Sequence, residues 1–220
     1  MTGATSEMMA LRDPDIRLML LVRDANDQAA FAELVSRFQH RLVGVMNHLV
    51  GNTDEAEDLA QEVFLRVYRT RERYTPKAKF STWLFTIANN LALNSLRDRQ
   101  RRPHQSLLVG GESGPLGPRP QENLENKKAV PPTQNIQMQE MAGIVRRALD
   151  ELNERQRMAV VLNKFEDMGY AEIADVMGLT SKAVKSLLSR ARGKLRDALQ
   201  GYIYMDGESP PKAGDDSDEE

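Results

Sequence analysis

Six cations and no acid stand between Ser181 and Arg196: Lys182, Lys185, Arg190, Arg192, Lys194 and Arg196. At 3.6 residues per turn, Lys182, Lys185, Ser186, Ser189, Arg190 and Gly193 share one helical stripe. Arg192, Lys194 and Arg196 flank it, and Val184, Leu187, Leu188, Ala191 and Leu195 form the opposite, apolar stripe. A solvated helix ordinarily mixes signs, because Glu–Lys pairs one turn apart stabilise it. One-sign charge opposite an apolar seam suits a polyanion, with cations on phosphates and Ser or Lys near base edges. The plainer alternative is a basic surface helix in an ordinary bundle.

A second constellation lies upstream in YTPKAKFSTWLFTIANNLALNSLRDRQRR. Here Trp83 and the amides Asn89, Asn90 and Asn94 precede a basic end, Arg97, Arg99, Arg101 and Arg102. Aromatics, amides and arginines close together can stack on, hydrogen-bond and neutralise an unpaired strand. Trp83 taken alone also suits a core. Amides in an apolar helix weaken it unless they cap, turn or bind. A third set is the outer face of DEAEDLAQEVFLRVYRTRER, with Glu55, Asp58, Glu62, Arg66 and Arg69. Acids at its start and bases at its end suit the helix dipole, so a solvated face tuned for stability explains it physically. A docking surface needs a further clue.

These side chains need helices to position them. Gly178 can end a helix over Tyr170–Met177 in the left-handed conformation, Thr180 can cap the next, and Leu179 can staple against Val184. That is helix-turn-helix punctuation, and DNA-binding versions place the second helix in the major groove. Upstream, Ile16 to Val22 is a short apolar segment. A long amphipathic helix follows, with Phe31, Leu34, Val35, Phe38, Leu42, Val45, Met46 and Leu49 on one stripe. Gly51 stops it and Thr53 is expected to cap the acidic helix. Pro76 turns the chain into a helix with Phe80, Trp83, Leu84, Ile87 and Ala88 inward.

The expected fold is all-α, two small helical domains joined by a flexible linker. Residues 12–103 form the first domain and 138–204 the second. Residues 104–137 are too rich in Gly, Pro, Asn and Gln, with no helical period, to offset the entropy of ordering. Residues 1–11 and the acidic tail 205–220 are expected to be unstructured. That tail holds seven acids against Lys212; removing it from 30 basic and 32 acidic residues leaves 29 and 25, a net +4. The overall charge of −2 is therefore no argument against nucleic acid. The tail reads as a solubilising extension or, more sharply, as a competitor of DNA for the basic helix.

Cysteine is absent, which excludes disulfides, thiol catalysis and cysteine zinc sites. The start carries no cationic segment followed by an apolar run, and no stretch reaches bilayer length, so a cytoplasmic protein without membrane insertion is expected. His40, His48 and His104 are scattered. His40 and His48 could share a face but lack acids at ligand spacing, so they are expected to be surface histidines. No phosphate-binding loop and no nucleophile with its base can be picked out, and no cofactor is expected.

DEAEDLAQEVFLRVYR, FSTWLFTIANNLALNSLRDRQRR and YAEIADVMGLTSKAVKSLLSRAR, in that order and spacing, resemble an extracytoplasmic-function (ECF) sigma factor of the sigma-70 family. The resemblance covers about residues 12–103 and 138–200, and it implies specific roles. Region two would dock on the β′ clamp helices of core RNA polymerase through Asp58, Gln61 and Glu62, which supplies the missing clue. Asn90 and Asn94 would hold a flipped base of the melted −10 element, with Arg97, Arg99, Arg101 and Arg102 along the backbone. Region four would set Lys182, Lys185, Ser186, Ser189 and Arg190 in the major groove of the −35 element and meet the β flap. The linker would thread toward the polymerase channel, and an anti-sigma factor is an expected partner. Two departures stand out: Leu152-Asn153 where the family often has Leu-Pro, and Lys182-Ala183-Val184-Lys185-Ser186-Leu187 where it often has Gly-Thr-Val-Lys-Ser-Arg. The rival reading is a stand-alone helix-turn-helix regulator, which would bind a palindrome as a dimer and leave the first domain unemployed.

Overall fold

The computed structural model describes residues 13–101 and 132–203. Among them every long element is an α-helix. In the first domain α1 spans Pro14–Ala25, α2 Gln28–Val50, α3 Thr53–Arg69 and α4 Phe80–Arg101, with a 3₁₀ turn at Arg71–Arg73. Each boundary has a local cause. Asp13 accepts from the Asp15 N–H (2.9 Å) ahead of Pro14, and Asp27 accepts from Ala29 and Ala30 to start α2. Gly51 ends α2 at φ 74°, the left-handed region that glycine enters without a Cβ clash.

The cap of α3 falls one residue earlier than the sequence suggested. Asn52, not Thr53, accepts the Glu55 N–H at 2.9 Å, and Thr53 is the first helical residue. Asn caps at least as well as Thr, and the turn at Gly51 leaves Asn52 in the extended conformation that a cap requires.

The core gathers Met19 and Val22 from α1, Leu34, Phe38, Leu42 and Met46 from α2, Val63 and Val67 from α3, and Phe80, Leu84 and Ala88 from α4. Phe31 and Val35 sit at its margin, Phe31 with its ring 5.1 Å from Tyr68. Trp83 is half-buried, 4.7 Å from the Tyr74 ring and 6.0 Å from Phe80. Asp13 has a second task, because its Oδ2 accepts the Phe80 N–H at 3.1 Å. One carboxylate thus caps two helices and pins the start of α4 to the start of α1.

The second domain contains α5 (Pro132–Asp150), α6 (Glu154–Lys164), α7 (Tyr170–Met177) and α8 (Ser181–Ile203). Helix α5 begins inside the stretch read as linker; Pro132 suits a first helical turn, where its missing N–H is no loss. Asn153, the departure from Leu-Pro, builds a capping box. It accepts the Gln156 N–H at 2.9 Å while Gln156 Oε1 accepts the Asn153 N–H at 3.3 Å. Asn153→Ala should therefore destabilise the protein by about 1 kcal/mol, read by urea denaturation; an unchanged midpoint would show that the box contributes nothing.

Gly178 (φ 62°) closes α7 in a Schellman turn, with the Leu179 N–H on the Ala174 carbonyl at 2.9 Å. Thr180 Oγ1 then accepts the Ala183 N–H at 3.2 Å to start α8. The two domains lie against one another, α7 along α4 and α6 against α2. No helix among the described residues is long and apolar enough to cross a membrane.

Candidate nucleic-acid interface

Helix α8 buries Val184, Leu188 and Ala191 against the rest of its domain, which turns Lys182, Lys185, Ser186, Ser189 and Arg190 to solvent. All five expected base-reading or phosphate-binding side chains share this exposed face. The flanking cations are less free. Arg192 Nε donates to the Leu188 carbonyl (3.3 Å) and Lys194 Nζ to the Glu151 carbonyl (3.2 Å). The first acid on α8 is Asp197, so the face stays one-signed for four turns.

On α4, Asn90, Asn94, Arg97 and Arg101 are exposed. Trp83 and Ile87 adjoin them, half-buried, so an aromatic edge, two amides and two guanidiniums lie along one arc. Arg99 is placed differently: its Nη1 donates to the Val50 carbonyl at 3.1 Å and lies 3.8 Å from Glu55. It neutralises the negative C-terminal end of α2. Arg102 lies outside the described residues. Asn89, next to Asn90 in sequence, is 4% exposed, and its Oδ1 finds no hydrogen-bond partner among the described residues.

On α3, Asp58 and Gln61 are exposed, and Glu62 pairs with Arg66 one turn on (3.1 Å). Sequence reasoning missed Leu65, which is 49% exposed one turn beyond Gln61 on this same face. Its signal was its phase, off the Ala60–Val63–Val67 stripe. Leu65 adds apolar surface to an otherwise polar face, and a lone exposed leucine does not by itself mark a binding site.

The structure corrects the reading of His48. It is half-buried at the domain seam, with its ring 4.2 Å from Phe165 of the α6–α7 loop, whereas His40 is exposed. Burial, helped by the charge of Arg146, holds the His48 imidazole below its ordinary pKa of 6.5. A base whose pKa is lowered in the packed state stabilises that state fully above 6.5 and loses the contribution as pH falls below it. Buried Glu166, beside Arg41 at the same seam, works oppositely, since burial raises its carboxyl above 4.5 despite the guanidinium. An NMR titration should show His48 protonating below pH 6.5; a midpoint at or above that value would contradict its packing.

Comparison with known proteins gives the family of the two domains. The sigma-70 region 2 family model matches residues 34–102, and that of sigma-70 region 4 matches residues 142–195. The RNA polymerase sigma-H factor of Pseudomonas aeruginosa is 32% identical over 199 residues, covering 89% of this chain and 98% of its own. The ECF RNA polymerase sigma-E factor of Escherichia coli is 33% identical over 181 residues, covering 80% and 90%. Among solved structures, CnrH in complex with the cytosolic domain of CnrY shares the fold, with a TM-score of 0.61 at 24% identity over 86% of this chain and 99% of its own. The sigma factor RpoE in complex with the anti-sigma factor NepR from Bartonella quintana gives 0.58 at 25% identity over 77% and 96%. The two domains and their surfaces define a transcription initiation factor. The chain belongs to the sigma-70 family, as an ECF sigma factor.

Proposed function

We propose that this protein loads core RNA polymerase onto promoters by dividing the work among three surfaces. The observation that carries the reading is the exposure of two chemically different nucleic-acid faces, on α4 and α8, in separate domains. The acidic face of α3, with Asp58, Gln61 and Glu62, docks on the β′ clamp helices, and the second domain meets the β flap. Asn90 and Asn94 hold a base extruded from the −10 element, and Arg97 and Arg101 follow the adjacent backbone. Extrusion costs a few kcal/mol, so a site that accepts only the flipped base couples reading to melting. Lys182, Lys185, Ser186, Ser189 and Arg190 read the −35 duplex. The protein works in the cytoplasm, performs no covalent chemistry and answers to an anti-sigma factor.

Run-off transcription by core polymerase with and without the protein, on a genomic promoter library, tests this. Protein-dependent transcripts whose start sites align on two shared elements are the expected result. Duplex binding without transcripts or core binding would instead identify a stand-alone regulator. Within the −35 face, Lys185→Ala and Arg190→Ala should each weaken promoter binding, and loss of a phosphate contact should lower the salt slope by about 1. Lys185→Ala should also change sequence preference. Unchanged affinity at moderate salt in both variants would remove α8 from the interface.

A further inference from the structure

Helix α8 carries more positive charge than its own domain neutralises. Lys182, Lys185 and Arg190 are exposed and, among the described residues, enter no ion pair. The first carboxylate along the helix is Asp197, which lies 3.8 Å from Arg196 and leaves the upstream face one-signed. Helix α4 differs. Arg97 and Arg101 stand on either side of Asp98, and Arg99 is drawn to the Val50 carbonyl and to Glu55. The exposed face of α8 is therefore the less compensated of the two nucleic-acid surfaces.

A compensating charge stands in the same chain. Helix α8 ends at Ile203, its last turn held by Arg147 of α5, whose guanidinium stands 5.8 Å from the Tyr202 ring. The sequence that follows lies outside the described residues. Within it, Asp215, Asp216, Asp218, Glu219 and Glu220 are gathered into six positions. Pro210-Pro211-Lys212-Ala213-Gly214 separates that cluster from the nearer acids Asp206 and Glu208. Blocks of like charge repel internally and are common in tails that bind a partner of opposite sign. The cluster lies 12 to 17 residues beyond Ile203. At 1.5 Å per residue, Arg190 is about 20 Å back along α8 and Lys185 about 27 Å. Even the nearest acid of the cluster can reach about 40 Å when its chain is extended.

We propose that the acidic cluster at residues 215–220 seats on the exposed cations of α8 in the free protein and competes there with duplex DNA. A coil of this length has a root-mean-square span of about 19 to 23 Å, close to the distance it must cover. That match gives the highest effective concentration a tether can supply, of the order of 1 mM. At that concentration, a seat with a dissociation constant of about 0.1 mM is filled about nine-tenths of the time and weakens DNA binding about tenfold. Carboxylates stand in for phosphates but make no base contact, so specific and non-specific affinity fall by the same factor. Only the weaker, non-specific binding then drops out of the working concentration range. The competition rests on the reading of α8 as a duplex-binding face; the seat itself does not.

The seat can be located in the full chain. Because no native cysteine competes, a nitroxide attached at Ser217→Cys reports through paramagnetic broadening which backbone amides the cluster approaches. Amides of α8 between Lys182 and Arg190 should broaden at low salt and recover as added salt shortens the screening length. Broadening strongest on α4 near Arg97 and Arg101, or absent from α8, would overturn the seat.

Binding to duplex fragments of the genomic promoter library then tests the competition. The parent is compared with a chain lacking residues 205–220 and with one carrying Asp215→Asn, Asp216→Asn, Asp218→Asn, Glu219→Gln and Glu220→Gln together. Both variants should bind about tenfold more tightly than the parent at low salt, and the difference should close at high salt. Equal affinity in all three would overturn the competition. A gain on deletion that neutralisation does not reproduce would overturn its basis in charge. If the chain lacking residues 205–220 binds no duplex, the reading of α8 fails with the competition, and the broadening still decides whether the cluster sits on that face.

Discussion

Asn90→Ala will leave the protein folded and able to join core polymerase, yet impair open-complex formation by about fivefold or more. Asn90 is exposed on α4 and its side chain supports no neighbour in the core, so truncation has little to destabilise. If its amide holds the extruded base, the loss is one or two hydrogen bonds made only to the flipped state. At 1–3 kcal/mol for a good base contact, that corresponds to roughly five- to 160-fold in the opening equilibrium. The measurement is permanganate reactivity of melted promoter thymines, set against holoenzyme assembly by native gel. Equal loss of assembly and melting would mean that Asn90 acts on the fold or on polymerase docking. Unchanged melting would move the base pocket elsewhere on the arc, toward Asn94.

Phe80→Ala is expected to have the largest effect on stability, a loss of about 3–5 kcal/mol. Phe80 is fully buried at the first turn of α4, with its ring 5.2 Å from Phe38 of α2, 6.4 Å from Tyr74 and 6.0 Å from Trp83. Its N–H is the one held by Asp13. Deleting the ring leaves a cavity where three elements meet and loosens the anchor that sets the axial position of α4, and so of Asn90 and Asn94. Chemical denaturation should show the loss as a lower midpoint with an unchanged slope. A destabilisation under about 1 kcal/mol would show that the neighbouring side chains collapse into the space. Phe80→Leu, which keeps most of the volume, should retain most of the stability.

Much of this molecule was legible in the chain because its signals are local. The Gly178 turn, the Thr180 cap, the stop at Gly51 and the two stripes of α8 depend on residues within one or two turns of each other. Their identities alone decide φ, capping and amphipathic phase. The small miss at Asn52 belongs to the same scale: two competent caps stood side by side, and the conformation left by the preceding glycine chose between them.

What the chain did not reveal depends on surfaces that meet only after folding. Asp13 gave no sign that it would cap α4, 67 residues away, as well as its own helix. Arg99 belonged to a run of arginines that looked equivalent, until the C-terminal end of α2 drew it aside. His48 read as a surface residue because its helical phase says nothing of a second domain. The loop that brings Phe165 and Glu166 across supplies the burial that lowers its pKa. Asn89 and Asn90 are one residue and 100° apart, and no sequence pattern says which will be buried and which left in water.

By itself the sequence determined the helices, their caps, the polarity of their faces and, through three motifs in order, the family. Those properties arise from short-range backbone preferences and from side-chain periodicity. Only the tertiary structure decided which polar side chains stay in water and which are withdrawn from it. Burial depends on contacts between residues far apart in the chain, and it governs whether an amide, an imidazole or a carboxylate is left free to bind, shifted in pKa or stranded without a partner.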